Sequence, residues 1–345
     1  SVDGLKYLLS AYVPWSVWVE PIAWWTALFG LLLFSALAMN VLFRRQWIEG
    51  ERYPLPLAQI PLSLIGVRSD QTPQLASGAA EPGVIWQNRM MWVGLASALS
   101  WCLLRAWGYY NEQVPSFEIA VPLSPYFDQA VYGKMFVGST FLVTVTFVSI
   151  ALFMDLSVLM SVVVGFFIYR SLFWVGEVAG WASLPGFPWD NEQQTGAFLM
   201  YAFLILLFMW RYLLRILRSC VTWDRGAWAD ELMPYPAAIG LLIGCGVLSV
   251  VWAMALGVPW VGVLTLFLYL LAVCLVATKI RAECGAPFGY LGPNTAILGL
   301  VLLGGLEVFG SEAFLVGFVV SFFVGGSPFF LIPGAQMELT ELGRR

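Results

Sequence analysis

Apolar residues in this chain run in long blocks, rather than at the two-residue alternation of a half-buried strand or the three-to-four-residue spacing of an amphipathic helix. A helix needs about 20 apolar residues to cross a bilayer. Nine such blocks are read, at roughly 22–43, 90–110, 134–154, 156–175, 196–217, 235–256, 258–278, 290–309 and 313–332. The pattern predicts an all-α membrane protein, residues 1–345 forming one polytopic domain, a bundle of about nine transmembrane helices. Gly and Pro interrupt the last two blocks, so broken helix is expected near the C-terminal end.

The segments between the blocks carry the charges, and Lys and Arg sort to one side. Arg44, Arg45, Arg52, Arg68 and Arg89 fall between the first two blocks; Arg211, Arg215, Arg218 and Arg225 fall at or after the end of the fifth. Lys279 and Arg281 follow the seventh, and Arg344 and Arg345 follow the ninth. With nine crossings these groups all lie on the same side, whereas Lys6 and Lys134 lie on the other and Arg105 and Arg170 lie within blocks. This predicts a cytoplasmic loop at 44–89, the N-terminus outside and the C-terminus inside. An outer loop at 111–133 contains FEIAVPLSPYF, which reads as a short extended segment, and residues 336–345 read as a polar tail. The chain opens on Ser1 with no basic stretch leading into an apolar one, which is expected of an internal portion of a longer protein.

Composition narrows the chemistry. Of 345 residues 60% are hydrophobic and 11% charged, against about 25% charged in a soluble domain, and mean hydropathy is +0.81. There is no His, which removes imidazole-ligated haem, His-based zinc, the Ser-His-Asp triad and a His proton shuttle. The five Cys show no CxxC spacing, there is no GxxxxGK[ST] phosphate loop, and a net charge of −4 is not a nucleic-acid footprint. No cofactor, no metal and no nucleic-acid partner is expected. The carboxylate pairs Glu49/Glu51 and Asp230/Glu231 sit in charged loops and read as solvated, and no nucleophile stands with a base, so no enzyme is expected.

Ionisable groups within spans are costly and therefore informative. Arg170 lies two-thirds along the fourth block with Glu177 seven residues later on roughly the same face, and Glu307 lies near the end of the eighth. Arg170 reads either as half of an ion pair with Glu177 or Glu307, or as a cation facing a substrate. Arg105 reads as snorkelling to the headgroups, and Asp155 as a helix N-cap. Segment 281–295, RAECGAPFGYLGPNT, holds Gly285, Pro287, Gly289, Gly292 and Pro293, too many breakers for one helix; Gly325, Gly326, Ser327 and Pro328 break the ninth block. Non-helical backbone at membrane depth survives where protein or a water-filled cavity covers it, as in secondary transporters. Asn294 and Ser327 would add neutral hydrogen-bonding groups there. The other reading of 281–290 is a plain turn between two spans.

Four segments, in order, resemble the oligopeptide-transporter-like family of bacterial membrane proteins. FRRQWIEGERYPLPLAQIPLSLI carries Arg44, Arg45, Trp47, Glu49, Glu51, Arg52, Pro54, Pro61 and Leu62. VSIALFMDLSVLMSVVVGFFIYR carries the Asp155-Leu156-Ser157 turn, and NEQQTGAFLMYAFLILLFMWRYLLR carries Gln193, Gln194 and Gly196. TKIRAECGAPFG carries Arg281, Ala282, Glu283, Gly285 and Pro287. The resemblance implies a proton-coupled secondary transporter in the bacterial inner membrane, its substrate a peptide, metal chelate or other small polar solute. Proton coupling without His points to carboxylates, Glu283 and Glu307 first, with Arg170 opposite a substrate carboxylate. The alternative is a non-catalytic scaffold subunit, a homodimer or part of a larger membrane complex.

Overall fold

A computed structural model describes residues 15–53, 55, 57–58, 88–111, 119–127, 135–136, 138–143, 148–149, 151–152, 154, 156–229, 231–285, 296–325 and 331–342. These residues form nine α-helices: α1 (Trp15–Arg45), α2 (Arg89–Tyr110), α3 (Leu156–Val178), α4 (Asp190–Thr222), α5 (Tyr235–Ala255), α6 (Trp260–Cys284), α7 (Ala296–Leu303), α8 (Gly305–Gly325) and α9 (Leu331–Leu342). Seven of them are long and apolar enough to cross a bilayer. The protein is a polytopic α-helical membrane protein in contact with lipid.

The core gathers around α6, which packs against α1, α4, α5, α7, α8 and α9. Its Val273, Cys274, Val276, Ala277 and Thr278 are all but fully buried. Buried hydroxyls here must find partners without water, and they bond back to their own helices: Thr278 Oγ1 donates to Cys274 O at 2.7 Å, Ser35 Oγ to Leu31 O at 2.7 Å and Ser249 Oγ to Gly246 O at 2.7 Å.

Small residues set the closest helix approaches, because lipid gives apolar side chains no reason to prefer protein over the bilayer. A Cβ built on Gly262 of α6 would lie 2.5 Å from Ala313 Cβ of α8. Gly262→Val is therefore expected to force α6 and α8 apart and cost about 1–3 kcal/mol. Thermal unfolding in detergent measures this, and an unchanged midpoint would show that the approach is dispensable.

Six of the expected spans fall on α1–α6; the other three differ. The block 134–154 is not one helix: within it Thr140–Val143 forms a strand, β2, antiparallel to β1 (Ile119–Pro122), with Ile119 opposite Val143 and Pro122 opposite Thr140. Its Val, Thr and Phe favour a pleated chain, and Gly138 turns it at φ 68°. The extended segment expected in the 111–133 loop is β1. The block 290–309 holds only the eight-residue α7 before the turn at Gly304–Gly305. The ninth block begins earlier than expected, as α8, and what reads as a polar tail is instead α9, packed on α1 and α6. Its buried residues Pro333, Gly334, Met337, Glu338 and Glu341 recur at helical spacing on one face.

Arg44, Arg45, Lys279 and Arg281 come together at one end of the core, called the basic end below.

Candidate functional site: paired half helices and a charged end

α7 and α8 form a hairpin beside α6. At its outer turn, Phe309 and Ala313 lie on Gly262, in the first turn of α6. At its other end, Gly299 lies on the Tyr269 ring, 2.8 Å from the nearest ring atom to a built Cβ, and Ile297 N donates to Ser321 Oγ at 2.9 Å. Tyr269 is nine residues into α6, about 14 Å at 1.5 Å per residue. The start of α7 therefore lies only part of the way along a bilayer about 30 Å deep, whereas α8, with 21 residues, is long enough to cross it. The two Gly/Pro-rich segments of the sequence adjoin the start of α7 and the end of α8. At the same level Thr195 of α4, 0% exposed, stands beside Tyr269, 3% exposed, and the two hydroxyls interact with each other.

The basic end is an ion-pair network. Arg44 grips Glu231 with two bonds, Nε to Oε2 at 2.8 Å and Nη2 to Oε1 at 2.7 Å, and donates from Nη1 to Glu341 at 2.9 Å. These side chains are 3%, 2% and 11% exposed, respectively. Arg281 holds Glu338 in the same fork, Nε to Oε1 at 2.9 Å and Nη2 to Oε2 at 2.8 Å. The Arg281 stem crosses α9 where Gly334 lacks a side chain; a Cβ there would collide with its Cδ. Asn40 Nδ2 donates to Pro333 O at 2.6 Å, pinning the start of α9 to α1.

Beside this network Lys279 Nζ lies 5.7 Å from the Tyr53 ring centroid, 5.5 Å from that of Tyr201 and 3.9 Å from Glu51. The Tyr53 hydroxyl donates to Glu51. Burial, that bond and the nearby Glu51 and Glu283 charges push the Tyr53 hydroxyl well above the usual phenol range, so it stays a donor. Glu283, half-buried one turn beyond Lys279, acts electrostatically on Tyr53 and Tyr201.

The other residues singled out in the sequence fall elsewhere. Arg170 of α3 lies over rings of its own helix, 5.1 Å from Phe173, 5.7 Å from Phe166 and 5.9 Å from Tyr169. Glu177 is exposed on the same helix. Glu307 is exposed in the first turn of α8, at the opposite end of α6 from Glu283, so the two carboxylates do not share a site. Gly285 caps α6 at φ 64°, its N–H bonded to Arg281 O at 2.8 Å, so α6 ends there in an ordinary left-handed turn. Gly325 is the last residue of α8. Asp155, Pro287, Gly292, Pro293, Asn294, Gly326, Ser327 and Pro328 lie outside the described residues.

Sequence reasoning missed Glu231, Glu338, Glu341, Thr195 and Tyr269. The helical spacing of Glu338 and Glu341 with Met337 was a usable signal for the first group, as was Tyr269 within the aliphatic run LFLYLLAV for the second.

No curated protein and no solved structure matches the chain. Residues 6–335 match a family described as a family of unknown function, and with nearly its whole length matched the chain belongs to that family, DUF6785.

Proposed function

We propose that this protein is a proton-coupled secondary transporter of the oligopeptide-transporter-like type. Its cargo would be a peptide, a metal chelate or another small polar solute. It would sit in a bacterial cytoplasmic membrane with the basic end inside, and no catalysis is assigned to it. The observation that carries the reading is the eight-residue α7, which begins beside α6 next to Tyr269 and Thr195 and pairs with α8. Helices that end at depth bring backbone donors and carbonyls to a solute without opening the fold to lipid. In this reading the coupling proton is taken up by Glu283, the candidate carboxylate that faces the Lys279, Tyr53 and Tyr201 cluster. Protonation would remove the Glu283 charge that acts on Tyr53 and Tyr201.

The test is solute-driven proton uptake in proteoliposomes with the full-length protein. Glu283→Gln is expected to abolish proton uptake while leaving solute counterflow, because exchange without net flux needs no titration. Absence of uptake across a broad panel of peptides and chelates would overturn the reading.

A second reading, a scaffold subunit, is favoured by one observation: α2 buries no residue and α3 buries only Gly176, leaving apolar faces that suit partner helices. Co-purification with other subunits, or with a second copy, in fixed stoichiometry would support it.

A further inference from the structure

At the end of the core away from Arg44, α1, α5 and α8 border an open hollow of about 490 Å³. That size is ordinary for a small-molecule site. Trp24, Trp25 and Trp252 form its walls, and Glu20 and Glu312 lie on it from opposite helices. No Lys or Arg among the described residues lines it.

Glu20 and Glu312 are exposed, and the indoles and the backbone beside them are held in place. Trp252 Nε1 donates to Trp24 O at 2.8 Å, which fixes that indole, and its ring sits 5.9 Å from the Trp25 ring, tilted by 58°. Pro21, inside α1, has no N–H, so the carbonyl of Val17, also on the hollow, lacks the donor it would otherwise receive four residues on. Across the hollow, α8 kinks at Gly310, whose φ of 76° and ψ of 166° belong to a region open essentially to glycine alone. A Cβ there would stand 3.3 Å from Glu312 Oε2 and 3.5 Å from Pro259 Cγ. The kink thus leaves room for the Glu312 carboxylate beside the α5–α6 turn.

Indole faces, two carboxylates and a freed carbonyl select a ligand. A bare metal ion would call for a close cage of oxygens and gain little from three indoles. An apolar ligand would gain nothing from two carboxylates. An organic ammonium uses both, its charge meeting the acids while its alkyl groups lie on the ring faces. We propose that this hollow binds an organic ammonium ion. The ammonium could belong to a free solute or to a choline or ethanolamine lipid headgroup, since the hollow opens among helix ends. The proposal stands apart from the transport reading, because it concerns binding and not flux.

The test is equilibrium binding of radiolabelled tetramethylammonium to the full chain in detergent at fixed ionic strength. Saturable binding is expected, and an equal concentration of Na+ should not displace it. Glu20→Gln with Glu312→Gln, and separately Trp25→Leu, should each weaken binding about tenfold or more. Elution volume and melting temperature check that both variants fold. Nanodiscs separate the sources: competition by phosphatidylcholine but not by phosphatidylglycerol assigns the site to a lipid headgroup, and binding equal in both assigns it to a free solute. Non-saturable binding, displacement by equal Na+, or wild-type binding in the variants overturns the proposal. If the double variant fails to fold, the Na+ competition and Trp25→Leu still decide it.

Discussion

Arg44→Met is expected to destabilise the folded protein by on the order of 3–5 kcal/mol, because it removes one partner of a buried charge network and leaves the others uncompensated. Glu231 and Glu341 both receive hydrogen bonds from this guanidinium, and their side chains are 2% and 11% exposed. Without it, two carboxylates face each other at the edge of an apolar core. Arg44→Lys keeps the charge but not the fork that spans both oxygens of Glu231, so it should fall between wild type and Arg44→Met. Arg44→Met with Glu231→Met should recover part of the loss, since much of the cost is an orphaned charge and not a lost attraction. Thermal unfolding of the detergent-solubilised protein measures all three. A wild-type midpoint for Arg44→Met would mean that the network contributes nothing to the fold.

This network also shows what one sequence can and cannot reveal. The first span, and Arg44 at its basic end, follow from an apolar run that meets two arginines. The partners of Arg44 do not follow, because they lie 187 and 297 positions away. Glu231, beside Asp230 in a charged loop, reads as solvated, and Glu341, near the end of the chain, reads as part of a polar tail. Polarity alone cannot tell a water-facing carboxylate from one facing a buried arginine. The same limit explains the strand at 140–143: a short apolar run rich in Val, Thr and Phe suits a strand as well as a span, and the pairing of β1 with β2 decides. Of the Gly and Pro breakers, Gly285 and Gly325 fall among the described residues, while the turn that divides the eighth block falls at Gly304–Gly305, which as sequence reads as a packing face. Gly285 does end α6, and the interrupted eighth and ninth blocks do become α7 and a shifted α8. The pairing of those two helices at one depth, with Tyr269 against Gly299, is a tertiary fact with no local signature.

Arg281→Leu is expected to have the second large effect, and it acts on α9. Arg281 and Glu338 are 12% and 9% exposed and share two bonds, so removing the guanidinium leaves Glu338 charged on a face turned toward α6. The pair differs from the Arg44 network in what it fastens. Arg44 joins α1 to the turn before α5 as well as to α9, whereas Arg281 joins α6 to α9 at the crossing where Gly334 admits its stem. Its loss should therefore loosen α9 selectively, with a cost again of about 3–5 kcal/mol. Hydrogen exchange read by mass spectrometry is the suitable measurement, since it reports local opening segment by segment. Amides of 331–342 should exchange on the order of a hundredfold faster or more, each tenfold corresponding to about 1.4 kcal/mol, while those of α5 change little. The Asn40 bond to Pro333 O survives the substitution, so the gain should be largest toward Leu342 and smallest near Pro333. Arg281→Leu with Glu338→Leu should restore much of the protection, because no charge is then left buried. Unchanged exchange in Arg281→Leu would mean that Asn40 and the packing of Met337 hold α9 without the ion pair.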